Sequence, residues 1–138
     1  MPDYSDSDAP WVKIATFGFE RGVPETVVGC LLIDLRGAGF DDPATEKNLK
    51  GRDGKDADVV QYVLASPRAF TKLHGVCGQA KALLDFNEQK NFTLRILVGD
   101  RDGKTRAVVV GDTVAEILNS RGIPTQVEHL HLPSDAQK

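Results

Sequence analysis

The stretch GDRDGKTRAVVVGDTVAEILNSRG, Gly99–Gly122, decides the fold. Read as a hairpin, it would send Val108–Val110 back along the apolar segment FTLRILVG as a second arm. Read as a helix, it carries a stripe of Ala107, Val110, Val114, Ile117 and Leu118 at steps of three and four, with Gly122 and Pro124 as the stop. Three successive valines are β-branched and argue for a strand, but the longer stripe and its stop favour the helix.

Working outward, FTLRILVG is then a strand that feeds this helix through a charged, glycine-containing turn. WVKIATFGF, Trp11–Phe19, and VVGCLLIDL, Val27–Leu35, read as earlier strands, the second apolar enough to be buried on both faces. DVVQYVLAS and the longer PRAFTKLHGVCGQAKALLDFNEQK read as two helices, the second with Phe70, Leu73, Cys77, Ala80 and Leu84 on one face. PTQVEHLHL, Pro124–Leu132, alternates from Thr125 to His131 as a last strand. The succession predicts a single small α/β domain over residues 11–132, with a mainly parallel sheet whose faces are covered by helices. Residues 1–10 form an acidic tail and 133–138 a flexible one. The polar segment Asp41–Asp58 offers few core candidates and reads as either a long functional loop or a poorly ordered one.

The chain has 138 residues, 41% of them hydrophobic, and a net charge of -3, so no global positive field attracts nucleic acid. An RNA partner would need a local basic stripe, for which Arg52, Lys55, Arg68, Lys72 and Lys81 are the candidates. Cys30 and Cys77 both sit among apolar residues and read as buried free thiols in a reducing compartment. With no apolar run of about 20 residues and an acidic amino end, the expected location is the cytoplasm, with no membrane partner. Homo-oligomer formation stays open.

Ligands in parallel sheets gather at the carboxyl ends of strands, where both GDRDGKTR and the segment after LLIDLR begin. The first is not an ATP-binding P-loop: Gly99 and Gly103 enclose too few residues, and Asp100 and Asp102 would face the polyphosphate. A simpler anion site, made of loop amides at a helix amino end with Lys104 and Arg106, competes with a solvated turn. RDGK occurs at both Arg52–Lys55 and Arg101–Lys104, as an Asp-Gly turn would, but is too short to establish a duplication. Asp34 and Arg36 alternate with Leu35 and suit an ion pair or a ligand clamp equally. His129 and His131 should share a side of the last strand, yet lack a third metal ligand at recognisable spacing. Neither cysteine is placed as a nucleophile beside a base, and no motif calls for a cofactor.

In order, IATFGFERGVP at Ile14–Pro24, Asp34-Leu35-Arg36, GKDADVVQYVL at Gly54–Leu64 and GDRDGKTRAV at Gly99–Val108 are similar to ITSFGFKYGIP, DVR, GLDEPVREYVL and GCTGGRHRSV. The second set belongs to the carboxyl-terminal domain of the RNase adapter protein RapZ, whose terminal HRD falls near His129. The resemblance spans about residues 12–132. It implies a small α/β domain with the loop leading into a helix, a phosphosugar pocket for glucosamine-6-phosphate, and a role with small regulatory RNAs. Gly99, Gly103, the basic Lys104 and Arg106 are kept. Asp100 replaces Cys, Arg101 Thr, Asp102 Gly, Thr105 His, Ala107 Ser, and Leu130 the Arg after His129. GAGFDDP, after Arg36, is longer than the family's loop.

The expected function is non-catalytic binding of a phosphorylated small molecule, as sensor or adapter, through Asp34, Arg36, Gly99, Asp100, Arg101, Gly103, Lys104, Thr105, Arg106 and His129. The polar loop Gly37–Asp58 would close over it as a lid. The alternatives are an RNA-binding adapter and a phosphohydrolase or transferase using Asp100 or Asp102.

Overall fold

A computed structural model describes residues 10–25, 29–37, 39–87 and 92–132. Apart from Pro10, both expected tails lie outside the described residues, as do Val27 and Val28 of the second expected strand. The elements are β1 (Val12–Gly18), β2 (Cys30–Asp34), α1 (Ala57–Leu64), α2 (Ala69–Phe86), β3 (Leu94–Asp100), α3 (Arg106–Ser120) and β4 (Thr125–His129). The four strands lie in the order β2-β3-β1-β4, all parallel. Parallel neighbours need crossovers, and α3 provides one, carrying the chain from β3 past β1 to β4. The helical reading of Arg106–Ser120 therefore holds.

The valine run is accommodated because the head of α3 is enclosed on every side. Arg106 through Gly111 are all buried, as are Val114, Ala115 and Leu118, whereas Ile117 is only partly covered. Two glycines allow this close fit. A Cβ on Gly54 would stand 2.6 Å from the Val108 Cβ, and one on Gly111 would stand 2.5 Å from the Thr16 Cγ2. Beyond Ser120 the helix stops at Gly122, with φ +78°, and the Pro124 carbonyl accepts from the Trp11 and Val12 amides at 2.9 and 3.2 Å.

All three helices join one core with Val12, Ile14, Leu94, Ile96 and Val98, the inward face of the sheet. The other face carries Lys13, Arg95, Gln126 and Glu128, all exposed, so the expectation of helices on both faces gives way to two layers. The polar alternates Lys13, Gln126 and Glu128 of β1 and β4 leave this face open, although Phe17 and Leu97 on the same face are buried. β2 is likewise not buried on both faces: it is an edge strand, and Leu32 is 47% exposed. β4 ends at His129, so Leu130–Leu132 form a turn and His131 is not on the strand.

On α2, Ala69 takes the inward place expected of Phe70, which is 54% exposed. α1 is capped by Asp56, whose side chain accepts from the Asp58 and Val59 amides. The polar loop contributes more to the interior than its composition suggested: Phe40, Pro43 and Gly54 are buried. Lys72 anchors it by donating to the Gly39 and Pro67 carbonyls, and the Asp41 amide donates to the Ser66 hydroxyl at 2.8 Å. Among the described residues, no helix is long and apolar enough to cross a membrane.

The contact of α3 with β1 yields a stability prediction. Alanine at a helix-interior glycine normally gains about 1 kcal/mol, but at Gly111 the added methyl meets a Thr16 side chain held by His129. Gly111→Ala should therefore lose about 1–2 kcal/mol, the usual cost of overpacking. Combined with Thr16→Ser, which removes the obstructing methyl and keeps the hydroxyl, the loss should vanish. Urea denaturation of the two single variants and the double variant checks this; a Gly111→Ala protein as stable as the wild type would contradict the packing argument.

Candidate functional site

The turn between β3 and α3 is organised by Asp100, which is 1% exposed. Its carboxylate accepts from the Gly103 amide, from the Ala107 amide at 2.9 Å and, at 3.5 Å, from the Thr105 hydroxyl. Burial raises its pKa, and the backbone donors of Ala107 and Gly103 oppose the rise. Gly103 closes the turn with φ +79°, and a Cβ there would stand 2.5 Å from the Gly18 nitrogen. Glycine is thus required twice over, for conformation and for space.

The two Arg-Asp-Gly-Lys sequences come together in space. In one, the Lys55 amide donates to Asp53 Oδ1 at 2.9 Å; in the other, the Lys104 amide donates to Asp102 Oδ1 at 3.0 Å. Each is an Asp side chain bonding two residues on, the local turn this residue favours. The Gly54 amide then donates to the Lys104 carbonyl at 2.7 Å, joining one turn to the other.

Between them lies a pocket of about 310 Å³, lined by Ala44, Leu49, Gly51, Arg52, Asp53, Asp102, Lys104 and Thr105. Its position, at the carboxyl ends of the strands and the head of α3, is where a parallel sheet places ligands. Arg52 is already paired with Asp58 at 2.9 Å and Asp56 at 3.5 Å. Lys104 is half-buried and has no ion-pair partner among the described residues. The pocket is therefore lined by two cations, Lys104 without an ion pair and Arg52 balanced by carboxylates, and by Asp53 and Asp102, whose carboxylates accept from the Lys55 and Lys104 amides, at the positive end of a helix dipole.

The remaining candidates surround this pocket. Arg106 is buried; its Nη1 donates to the Leu35 carbonyl at 2.8 Å, and its Nη2 stands 3.6 Å from Asp42 Oδ2. Its Nε is buried with no hydrogen-bond partner among the described residues. Arg101 is exposed, 3.6 Å from the same Asp42 oxygen and 3.8 Å from Glu20. Asp34 and Arg36 form a direct ion pair at 2.7 Å in an exposed position. The Arg36 side-chain and backbone hydrogen bonds lower the Asp34 pKa, and the guanidinium lies 3.6 Å from the centre of the Phe19 ring. A Cβ on Gly99 would collide with Phe17 and Phe19, so this glycine makes room for an aromatic pair.

His129 belongs to a chain of polar contacts that runs from buried Thr16 to exposed Lys55. Its Nδ1 lies 2.7 Å from Thr16 Oγ1 and its Nε2 2.8 Å from Asp112 Oδ1, and Lys55 Nζ reaches Asp112 Oδ2 at 2.9 Å. Burial works to raise the Asp112 pKa, but the bonds from His129 and Lys55 prevail and hold it below its ordinary value. His131 does separate work: its Nδ1 accepts from the Gly18 amide at 2.7 Å, and burial, then Arg21, lower its pKa. The expected pair on one strand face is thus divided between two networks.

Ala44, Leu49, Gly51 and Asp53 belong to the loop expected to close over a ligand, but composition does not single them out as lining residues; Asp102 is expected only as a catalytic alternative and Arg52 only in an RNA stripe. The repeated RDGK was the available signal, and only its partnering in space shows what it marks. Of that stripe, Lys55 pairs with Asp112, Lys81 with Asp85 at 2.7 Å, and Lys72 binds backbone carbonyls. Arg68 is exposed with no ion pair among the described residues, so two of the five cations, Arg68 and Lys72, keep an uncompensated charge.

Comparison with known proteins agrees with this architecture. A nucleotide-binding protein of Nitratidesulfovibrio vulgaris is 28% identical over 122 residues, covering 88% of this chain and 39% of the relative. One from Desulfovibrio desulfuricans is 30% identical, covering 88% and 38% respectively. One from Clostridium botulinum is 27% identical over 132 residues, covering 92% and 42%. The chain thus spans about two fifths of the length of these curated relatives. Its glycine turn, its parallel sheet and the helix that follows β3 all lie within residues 10–133, which match the model of the RapZ C-terminal domain, and the chain belongs to that family.

Proposed function

We propose that this domain binds a small phosphorylated molecule, without turnover, in the pocket between its two Arg-Asp-Gly-Lys turns, and acts as a sensor or adapter. The observation that carries the reading is the placement of Arg52 and Lys104, from distant segments, on one pocket at the head of α3. A volume of about 310 Å³ is at the small end for ligand sites and suits one phosphorylated compound. The relatives' description as nucleotide-binding supports a phosphate-bearing ligand. Lys104 and Thr105 meet the ligand; Gly99, Asp100, Gly103 and Arg106 shape the turn behind them. Asp34, Arg36, Arg101 and His129 support the surrounding segments. Catalysis is disfavoured because Asp100 is engaged by backbone donors and Asp102 by the Lys104 amide.

A charge-assisted bond contributes about 1.5–3 kcal/mol, so Lys104→Ala should weaken binding about tenfold, the lower end suiting a half-buried lysine. Calorimetric titration with a hexose 6-phosphate, a nucleoside monophosphate and inorganic phosphate measures this and ranks the ligand classes. No detectable binding of any of them by the wild type would refute the reading.

The same pocket predicts where a ligand protects the chain. Lys47 and Lys50 are exposed on the segment between Pro43 and the Asp53 turn, and Leu49 and Gly51 line the pocket. Tryptic cleavage after these lysines should slow when the ligand binds. Equal cleavage at saturation would show that this segment does not close on it.

A further inference from the structure

We propose that Asp100 determines the pocket's anion specificity by excluding a ligand anion from the backbone donors of the β3–α3 turn. A ligand's charge is then received by the side chains of Arg52 and Lys104. This rests on the pocket reading above and adds to it a residue whose carboxylate is a fixed internal competitor.

The argument is geometric. A turn leading into a helix presents converging N–H groups, and a tetrahedral anion would take them. Here the donors of Gly103 and Ala107 already point at the two oxygens of one side-chain carboxylate, with the Thr105 hydroxyl beside the second. That carboxylate is almost completely removed from solvent. A ligand phosphate could reach these donors only by displacing Asp100, and would meet its negative charge at close range. Lys104, the next residue after Gly103, turns its backbone amide to Asp102 and lines the open pocket. The turn therefore uses its amides internally and leaves recognition to flexible cations. Lys104, a compact charge on a flexible stem, selects by charge more than by the shape of the anion, while the planar Arg52 fork is already held by Asp58 and Asp56.

Inorganic phosphate is the probe, and ¹⁵N amide NMR of the full chain is the readout. In the wild type, phosphate should shift the Lys104, Gly51 and Arg52 amides, with no saturable shift at Gly103 or Ala107. In Asp100→Ser, which removes the charge, phosphate should shift Gly103 and Ala107 and bind about tenfold more tightly, as expected for an anion newly admitted to a helix amino end. Asp100→Asn keeps the size of the side chain and should give a smaller gain in the same direction, which serves if the serine variant fails to fold. Saturable shifts at Gly103 and Ala107 in the wild type would overturn the proposal. So would charge-removing variants that fold but gain no phosphate affinity at those amides. If the wild type binds no phosphate while Asp100→Ser gains it at Gly103 and Ala107, Asp100 keeps its excluding role and the pocket reading fails instead.

Discussion

The hydrogen bonds from the Gly103 and Ala107 amides to the Asp100 carboxylate hold the turn on which the candidate site is built. α3 begins at Arg106, a few residues after β3 ends, and its first turns are enclosed by the sheet, by the other helices and by Gly54. Helix amino ends carry donors with no partner inside the helix, and enclosure denies them water. Asp100 supplies the acceptor from within the turn. Its position brings Gly103 into a left-handed conformation, leaves Asp102 to form the outer turn and puts Lys104 on the pocket wall.

A second polar chain, Thr16–His129–Asp112–Lys55, ties three parts of the fold together. Thr16 and His129 are neighbours across β1 and β4, and Asp112 reaches them from α3. Lys55 extends the chain to the polar loop, which therefore does not drift free of the helix it borders. At the buried end of these contacts, Thr16 and His129 are costly when unpaired and rigidifying when paired. The loop is thus anchored at Lys55 and at Gly54, while its Lys47–Lys50 portion remains exposed apart from the half-buried Leu49.

Local charge, more than net charge, governs what the molecule can bind. The chain is acidic overall, and some of its exposed cations are paired with nearby carboxylates, Arg36 with Asp34, Lys81 with Asp85 and Arg52 with Asp58, while others such as Lys13, Arg68 and Arg95 are exposed with no ion pair among the described residues. Exposed pairs of this kind add about 0–1 kcal/mol to stability. Their effect on recognition is larger, because a cation already screened by a carboxylate attracts an anion weakly, so in the pocket Lys104 carries more of the attraction than Arg52. There Lys104 is half-buried, has no ion-pair partner among the described residues and stands beside the head of α3, so its charge faces the open space.

Periodicity alone made much of the fold legible. The stripe through Val110, Val114 and Leu118 with the Gly122 stop marked α3, and the strand segments were evident from their β-branched content. Whether β2 lies at an edge, or whether one face of the sheet is open, depends on strand order, which pairs residues far apart in the chain and leaves no local pattern. The site divides in the same manner. Glycines at 99 and 103 and the cations at 104 and 106 marked the turn as a candidate anion site, in competition with a solvated turn. Tertiary packing alone decided that Asp100 would turn inward to the amides, that Arg106 would be buried against Leu35, and that the two RDGK turns would meet across a pocket. A side chain's direction is set by what encloses it, and the enclosing residues come from every part of the chain.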